Sequence, residues 1–263
     1  MRISLITPSF NHDEFIRRTI DSVLGQAGDF ELEYVVLDGG STDRTKDILQ
    51  SYGDRLHWTS EPDGGQVDAI NSGLKKATGD VVGWLNSDDV LLPNSVQRVA
   101  NCFRNNPACE WVHGGCQIID RDDREIRGWV SRYKRRHAIR YSRASLLSRN
   151  FVSQMTVFWR RNAMDSIGYL APELPLAFDY DYWLRLSKLG DPIYIDEPQA
   201  AFRWYETSKS GANFKQQCLE DEAISKRHGN GRIGGLLSKR LQNAARIAMY
   251  NAMSLTDRLR STR

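Results

Sequence analysis

The stretch that most constrains this chain runs from Asp80 to Asp89, an apolar segment that ends in two adjacent carboxylates. Its first six residues include β-branched and aromatic types and precede a polar turn, a pattern typical of a buried strand. In open α/β sheets, ligands bind along the carboxyl edge of the strands, where Asp88 and Asp89 are expected. An isolated Asp-Asp pair is more often a solvated turn before a helix, here one beginning near Pro93. The rest of the chain must therefore decide between these interpretations.

Strand-like and helix-like patterns alternate over the first 115 residues. Strands are predicted at 3–7, 33–38, 56–59 and 80–85. Helices, marked by apolar residues at 3.6-residue spacing, are predicted at 15–24, 42–52, 67–77 and from 93 onward. Repeated β-α units predict an α/β fold with a mainly parallel central sheet flanked by helices.

The pattern changes after about residue 110. Strands are predicted at 110–120, 126–130, 151–160, 192–195 and 200–204, and helices at 182–189 and 214–227. The segment from Arg132 to Arg149 is strongly basic and contains no acidic residue. Such a charge run is typical of a solvated loop or helix face, and the alternative is contact with phosphate or anionic lipid.

Composition excludes several classes of protein. The net charge of +3 is too small to indicate nucleic acid as a partner. No run of about 18 apolar residues predicts a membrane span, and the start of the sequence does not resemble a signal peptide. The four cysteines lack the C-x-x-C spacing of a zinc site and are typical of reduced thiols. We therefore expect a cytoplasmic protein.

Acidic residues follow three of the predicted strands. Asp38 precedes a Gly-Gly turn, Asp63 precedes another, and Asp88 and Asp89 close the fourth strand. A parallel sheet brings these ends to one edge, where glycine turns and helix N-termini favour phosphate binding. The G-x-G-x-x-G fingerprint and the P-loop are both absent, so we expect Mg²⁺ or Mn²⁺ on the Asp pair to neutralise the phosphates of a nucleotide.

Five ordered motifs support a resemblance to a known family. They are Thr7-Pro8-Ser9-Phe10-Asn11, Asp38-Gly39-Gly40-Ser41-Thr42-Asp43, Asn71-x-Gly73 with Gly79, Asn86-Ser87-Asp88-Asp89, and the stretch from Asp179 to Leu186. With these motifs the chain resembles family 2 glycosyltransferases, which have the GT-A nucleotide-diphospho-sugar transferase fold. The resemblance covers about residues 2–210. It implies an inverting transfer of sugar from a nucleotide-diphosphate sugar, with a UDP-sugar favoured.

The resemblance assigns roles to individual residues. It implies that Phe10 stacks on the nucleotide base, that Asp38 hydrogen-bonds the base and that Asp89 is the metal ligand. The remaining residues expected to bind the nucleotide sugar are Pro8, Ser9, Asp63, Asn71, Asp88 and Lys209. Lys209 enters because Tyr205 stands where relatives often have a histidine that helps to hold metal or diphosphate.

Asp179 takes the place of the family's catalytic base, with Asp181 as its rival. Inversion needs a carboxylate that removes the proton of the acceptor hydroxyl. The family often has Glu-Asp at this point, whereas this chain has Phe178-Asp179, which keeps Asp181 open as the base. The expected acceptor site comprises Gln154, Trp183, Arg203 and Trp204.

The resemblance also predicts a division of the chain. Residues 1–228 are expected to form the GT-A domain, with a nucleotide-binding half at 1–115 and an acceptor-binding half at 116–228. Residues 229–263 are expected to form a glycine-rich hinge and an amphipathic basic C-terminal helix. The apolar stripe at 236–263 predicts packing on the core or in a homo-oligomer, and the alternative is peripheral contact with the inner face of the membrane.

We therefore predict a glycosyltransferase that adds one sugar to a glycan or lipid-linked acceptor in glycan or polysaccharide biosynthesis. The alternative function is a degenerate module that binds a nucleotide sugar or glycan without turnover.

Overall fold

The computed structural model describes residues 1–229. Its strands are Arg2–Ser9 (β1), Glu31–Asp38 (β2), His57–Ser60 (β3), Val81–Trp84 (β4), Val90–Leu91 (β5), Trp111–Ile119 (β6), Phe158–Arg160 (β7) and Ile193–Arg203 (β8). Its α-helices are Ile16–Leu24 (α1), Thr45–Gln50 (α2), Gln66–Lys76 (α3), Ser95–Asn105 (α4), Gly128–Ile139 (α5), Arg143–Ser148 (α6), Ala163–Ile167 (α7), Phe178–Leu186 (α8), Lys209–Ala212 (α9) and Phe214–His228 (α10).

The strands form one eight-stranded sheet in the order β3-β2-β1-β4-β7-β6-β8-β5. β3, β2, β1 and β4 run parallel, as the β-α alternation predicts. The second half is mixed, because β7 pairs antiparallel with both β4 and β6 while β6 and β8 are parallel. The mainly parallel character therefore belongs to the first half of the sheet.

The register brings the carboxyl ends of the first strands together. Ser9 lies opposite Asp38, and Asp38 lies opposite Ser60 on the next strand. Trp84, the last residue of β4, lies opposite Ile6 of β1. The residues that follow β1, β2, β3 and β4 therefore meet at one edge of the sheet.

Helices cover both faces of the sheet, and strand residues alternate between two apolar clusters. In β1, Ile3 and Leu5 pack into one cluster and Ile6 into the other. The first cluster includes the buried stripe of α1 at Ile16, Ile20 and Val23, whose spacing is that of one helix face. The second includes α3 and α8. These two cores hold the sheet edge in place from both sides.

Several predicted strands differ from those observed. The strand predicted at 151–160 is limited to β7 at Phe158–Arg160, and Gln154–Thr156 before it is a 3-10 helix. The strand predicted at 126–130 is wrong: α5 begins at Gly128, and this part of the chain keeps only a single bridge between Glu125 and Ile119. The strands predicted at 192–195 and 200–204 are one strand, β8. Its pairing with β6 shifts register between Gly114 and Cys116, so Pro198 is accommodated at a bulge.

Within residues 1–229, no helix is long and apolar enough to cross a membrane. Apart from Gly229, the predicted hinge and basic helix at 229–263 lie outside the described residues, and so does their predicted contact with a membrane or a second subunit.

Candidate active site

A cavity of about 1050 Å³ opens at the carboxyl edge of the first strands. Its walls come from the turns after β1, β2 and β4, from α5 and α8, and from the segment after β8. The residues predicted from sequence that line it are Pro8, Ser9, Phe10, Asp63, Asp88, Gln154, Asp179, Trp204 and Lys209. Six other predicted residues, counting the rival base, lie elsewhere: Asp38, Asn71, Asp89, Asp181, Trp183 and Arg203.

The residues at the end of β1 form one end of the cavity. The Phe10 side chain is 58% exposed although it is a large aromatic group, and it lies on the cavity wall. An aromatic ring held at the end of a buried strand with one face open can stack on a planar ligand. Beside it, the Ser9 hydroxyl is buried without a hydrogen-bond partner among the described residues.

Asp38 lies outside the cavity lining, directly before Gly39, which lines it. It is buried, and its carboxylate accepts hydrogen bonds from the Ser41 amide at 2.9 Å and the Ser60 hydroxyl at 2.6 Å, and also from the Ser41 hydroxyl. These bonds fix the glycine turn that follows β2, in which Gly40 has a φ of +82°. Asp38 does not line the cavity, and its hydrogen bond to a nucleotide base stays a prediction.

Asp63 faces the cavity beside that turn. One of its oxygens accepts a hydrogen bond from the Gly65 amide at 2.7 Å. A side chain at Gly39 would place its Cβ 3.0 Å from the other oxygen, a tight contact that the Asp63 carboxylate would have to relieve by moving.

The two carboxylates after β4 have different environments. Asp88 lines the cavity, and one of its oxygens accepts a hydrogen bond from the Tyr205 hydroxyl at 3.0 Å. Asp89 is fully buried, and its carboxylate accepts from the Arg203 amide at 2.9 Å. Burial, together with the neighbouring Asp88 charge, raises the pKa of Asp89. Asp89 does not line the cavity, whereas Asp88 does, and the metal contact of Asp89 stays a prediction.

The residues present fit a metal ion only as part of a complex with substrate. Among the described residues, no three His, Cys, Asp or Glu side chains cluster closely enough to hold a metal ion. Mg²⁺ in phosphate-binding sites is typically held by one or two carboxylates together with substrate phosphates. The half-buried carboxylate of Asp88 meets that requirement, since it has hard oxygen donors on the wall of a cavity large enough for a nucleotide.

Arg203 stabilises the turn that carries these carboxylates. Its guanidinium is fully buried and donates to the Asp88 carbonyl and the Asp120 carbonyl, each at 2.8 Å, and pairs with Asp123. The guanidinium is buried among these groups and does not line the cavity, and its contact with the acceptor stays a prediction. The Trp204 ring next to it does line the cavity, with the Arg127 guanidinium 3.4 Å from its centre.

Trp183 and Asn71 are also structural. Trp183 is fully buried and stacks between Trp84 and Trp111, with ring centres 5.4 and 6.4 Å apart. The Asn71 amide exchanges two 3.0 Å hydrogen bonds with the backbone of Leu170. Neither lines the cavity, and their contacts with substrate stay predictions. Gln154, in contrast, lies on the cavity wall and is fixed by bonds to the Trp84 carbonyl at 2.8 Å and Asn86 at 3.1 Å.

Asp179 stands in the first turn of α8 with its carboxylate on the cavity wall. Burial, reinforced by the nearby Asp221 carboxylate, raises its pKa to about 7. The helix is held by Tyr180, whose buried hydroxyl donates to the Leu146 carbonyl at 2.8 Å. A carboxyl group with this pKa, held rigidly at a cavity, can accept a proton near neutral pH.

Asp181 has a different environment from Asp179 although only one residue separates them. It is buried away from the cavity and contacts Arg185 at 2.9 Å and His228 at 2.8 Å. Despite its burial, hydrogen bonds from His228 and the charge of Arg185 lower its pKa. Asp181 therefore joins α8 to α10, and the geometry favours Asp179 over its rival as a base.

Several cavity residues were not identified from sequence. His12 lies 2.5 Å from the Ser87 hydroxyl through Nδ1, and Tyr205 contacts Asp88. α5 presents Val130, Tyr133 and Lys134 to the cavity. Their i, i+3, i+4 spacing is the signal of one helix face, and it was missed because a strand was predicted at 126–130. Most of the basic segment is solvated as predicted, but Lys134 and Arg149 line the cavity.

Lys209 lies across the cavity from α5. Its ammonium donates to the Gln66 side chain at 2.8 Å and stands 5.6 Å from the centre of the Phe178 ring. Burial lowers its pKa, against the opposing effect of Glu220 and Asp179. Gln66 in turn hydrogen-bonds Asn86 at 2.8 Å, so Lys209 is connected to the turn that carries Asp88.

The fold is similar to that of several solved sugar transferases. The mannosyltransferase PcManGT of Pyrobaculum calidifontis, solved with GDP-Man and Mn²⁺, matches 96% of this chain and 80% of its own, with a TM-score of 0.65 and 16% identity. Residues 1–349 of TarS of S. aureus, solved with UDP-GlcNAc, match 89% and 73%, with a TM-score of 0.62 and 18% identity. These similarities show that the chain has the GT-A fold.

Curated relatives point in the same direction. An uncharacterised glycosyltransferase of Rickettsia felis is 28% identical over 82% of this chain and 36% of its own length. One of Rickettsia prowazekii is 29% identical over 74% of this chain and 61% of its own length. The chain thus spans about a third to three fifths of the length of these relatives. The model of the glycosyl transferase family 2 matches residues 4–166, which is more than half of the sequence, and the chain belongs to that family.

Proposed function

We propose that this chain is an inverting, metal-dependent glycosyltransferase that moves one sugar from a nucleotide-diphosphate sugar to a hydroxyl group of a glycan or lipid-linked acceptor. The observation that carries the proposal is that the carboxylates of Asp88 and Asp179 open into one cavity, which also contains the exposed ring of Phe10. These three side chains come from three different elements of the fold. Together they offer an aromatic surface for a nucleotide base, a carboxylate for a metal ion and a carboxylate that can accept a proton.

The donor is proposed to bind at the end of the cavity formed by the turns after β1 and β2. Phe10 stacks on the base, and Asp63 and the glycine turn after β2 line the nucleoside, where a side chain at Gly39 would crowd the Asp63 carboxylate. The diphosphate lies between Asp88 and the Lys209 ammonium. Structures of similar fold carry GDP-Man or UDP-GlcNAc, and we favour a UDP-sugar here.

A divalent cation, Mg²⁺ or Mn²⁺, is proposed to be held by Asp88 and the donor phosphates rather than by Asp89. When bound, it would act as a Lewis acid that offsets the negative charge growing on the leaving diphosphate. Tyr205 donates a hydrogen bond to one oxygen of Asp88, which orients the carboxylate and leaves its other oxygen for a ligand.

Asp179 is proposed as the general base. As the acceptor oxygen attacks the anomeric carbon, its proton passes to a carboxylate oxygen of Asp179. The new carbon–oxygen bond forms on the face opposite the diphosphate, and the electron pair of the broken bond leaves with the diphosphate, so the configuration inverts. A pKa of about 7 makes this carboxylate a stronger base than an ordinary aspartate and leaves much of it ionised at neutral pH.

We further propose the division of labour predicted from sequence, with the donor held mainly by residues 1–115 and the acceptor by 116–228. Gln154 and Trp204 face the cavity on the acceptor side. The proposed location is the cytoplasm or the inner face of a membrane.

Release of nucleotide diphosphate from a panel of UDP-, GDP- and dTDP-sugars, with Mn²⁺ or with EDTA, tests the proposal. We expect metal-dependent release from one donor, accelerated by the correct acceptor and lost in Asp179→Asn. Removal of a general base typically lowers the rate by about 10² to 10⁴. Donor binding, measured by calorimetry, should survive in this variant because Asn has nearly the same shape as Asp. Nucleotide binding without any turnover in the presence of suitable acceptors would instead indicate a binding module.

A further inference from the structure

Three cations line the cavity on the acceptor side. The segment 127–150 contains eight Lys or Arg residues and no Asp or Glu. Four of these cations are exposed and Arg143 is half-buried outside the cavity lining, but Arg127, Lys134 and Arg149 are half-buried on the cavity wall. Partial burial of cations is unfavourable unless they interact with other groups, and it strengthens their attraction for an anion. We call these three residues the cationic wall.

The positive charge of Lys134 acts on Asp179, the proposed general base. Its ammonium donates to the Ser153 hydroxyl at 3.1 Å. It lies near enough to Asp179 to lower the pKa of that carboxyl, against the larger raising effect of burial. It also contributes, after burial, to lowering the pKa of His113 to about 3. A charge felt at two buried groups on different elements is directed inward, away from bulk solvent.

Arg149 is oriented by polar neighbours. Its guanidinium lies 2.9 Å from His137 Nε2 and donates to the Ser148 hydroxyl at 3.3 Å. Burial and the charge of Arg149 lower the pKa of His137, so the imidazole is neutral at pH 7 and accepts this bond. Holding a planar guanidinium in one orientation favours geometric recognition of oxygen anions.

The third cation, Arg127, is associated with an aromatic surface. Its guanidinium lies over the Trp204 ring, and the Trp129 and Tyr133 rings are 43% and 47% exposed on the same side of the cavity. Open aromatic rings provide flat apolar surface for the faces of a sugar ring. The acceptor side thus combines aromatic surface with concentrated positive charge.

This cationic wall is separate from the groups proposed to hold the donor. Lys209 is connected through Gln66 to the turn of Asp88, whereas Lys134 bonds Ser153 and Arg149 lies beside His137. The acidic residues that line the cavity in the described chain are Asp63 and Asp88 near the donor turns and Asp179 in α8. Beyond Asp179, the lining charges on α5 and α6 and their flanks are positive.

We propose that the acceptor carries a phosphate group, bound by Arg127, Lys134 and Arg149, with its sugar or polyol portion against Trp204 and Trp129. The inference rests on the proposed function, because the acceptor side is defined by the position of Asp179 as the base. A phosphate offers three oxygens and up to two negative charges, which matches three cations on one cavity wall better than a single carboxylate does. The phosphate can belong to a soluble sugar phosphate or to a lipid headgroup.

Binding of a matched set of ligands tests this assignment without requiring turnover. Glucose 6-phosphate, glucuronate and glucose share one ring and differ in charge, and each is titrated into the full chain by calorimetry. Vesicles with and without phosphatidylglycerol test the lipid source by co-sedimentation. The variants are Lys134→Gln and Arg149→Gln, with Arg136→Gln as the matched control. Arg136 lies on α5, as Lys134 does, but it is exposed and outside the cavity lining. Its replacement by Gln changes the net charge by the same amount as each cavity variant.

We expect glucose 6-phosphate to bind more tightly than glucuronate and glucose. Lys134→Gln or Arg149→Gln should weaken this binding by about tenfold or more, since hydrogen bonds to charged groups have effects of that size. Arg136→Gln should not. Binding to anionic vesicles that depends on Lys134 and Arg149 but not on Arg136, with weak binding of the soluble ester, would assign the phosphate to a lipid.

Three results would overturn the inference: binding of neither phosphate source, equal binding of glucuronate and glucose 6-phosphate, or binding that neither cavity variant changes. A separate titration with UDP and Mn²⁺ distinguishes the possible failures. If UDP binds and neither phosphate source does, the inference of a phosphate-bearing acceptor fails and the proposed function does not. If Lys134→Gln weakens UDP as much as glucose 6-phosphate, the cationic wall holds the donor. If UDP, GDP and dTDP all fail to bind, the proposed function itself fails.

Discussion

Replacing Arg203 with Met removes the buried cation that ties the Asp88 turn to the Asp120 turn. The Met side chain keeps much of the volume but leaves the carbonyls of Asp88 and Asp120 without their 2.8 Å donors. An unsatisfied carbonyl costs about 1–3 kcal/mol, which applies to Asp88, whereas the Asp120 carbonyl keeps the longer bond from the Asp123 amide at 3.3 Å. Relief from burying the guanidinium offsets part of this loss, and Asp123 is exposed enough to be solvated by water. We therefore expect a loss of about 3 kcal/mol in the free energy of unfolding.

Thermal unfolding followed by circular dichroism measures this effect. A loss of about 3 kcal/mol corresponds to a fall of roughly 6–12 °C in Tm for a chain of this size. Arg136→Met is the control, because Arg136 is exposed and its replacement should change stability by less than about 0.5 kcal/mol. Unchanged stability of Arg203→Met, combined with a raised KM for the acceptor alone, would refute the structural role and restore the acceptor contact predicted from sequence.

Four further outcomes follow from the site. Asp88→Asn should weaken Mn²⁺-dependent binding of nucleotide diphosphate by at least about tenfold in calorimetry, because the cavity loses its metal-facing charge. Phe10→Ala should weaken nucleotide binding by roughly tenfold while leaving Tm nearly unchanged, since the ring is 58% exposed. In a pH series, kcat/KM should rise through about pH 7 as Asp179 loses its proton, and Asp179→Asn should raise Tm at pH 8 but not at pH 4.

The expected change in Tm for Asp179→Asn has a definite sign. Because the folded pKa of Asp179 is higher than the unfolded value, the unfolded chain binds fewer protons between about pH 4 and pH 7, and stability falls as pH rises through that window. An Asn removes this penalty. The role of Asp179 would be contradicted by a lower Tm at pH 8 for Asp179→Asn or by a kcat/KM that is flat from pH 6 to 8. The role of Asp88 would be contradicted if metal dependence were lost with Asp89→Asn but kept with Asp88→Asn. An unchanged nucleotide affinity for Phe10→Ala would exclude stacking.

Local patterns were sufficient for much of the fold. The β-α alternation predicted the parallel strands β1 to β4, because each strand and helix is encoded by its own short-range periodicity. The segment at 126–130 shows the limit of this reasoning. Its residues are as compatible with a helix as with a strand, and the partner strand that would decide between them is not visible in the local sequence.

The same distinction applies to the site. The order and residue types of the motifs predicted an edge of the sheet with carboxylates and an aromatic ring, and nine of the predicted residues line the cavity. Sequence assigned the metal to Asp89 and the nucleotide sugar to Asp88, and it did not separate the cavity-facing Gln154 from the buried Arg203. Adjacent residues in an irregular turn have no fixed period, so the direction of each side chain depends on contacts made elsewhere.

What the sequence determined by itself is therefore the chemistry available and the strand ends at which it is placed. The tertiary structure decided which groups face the cavity. Asp89 and Asp181 are engaged by residues more than 40 positions away, Arg203 and His228, and these distant contacts turn both carboxylates away from the cavity. Asp88 and Asp179 are left on its wall. The physical reason is that burial and hydrogen bonding of a side chain are set by residues that only the folded chain brings together.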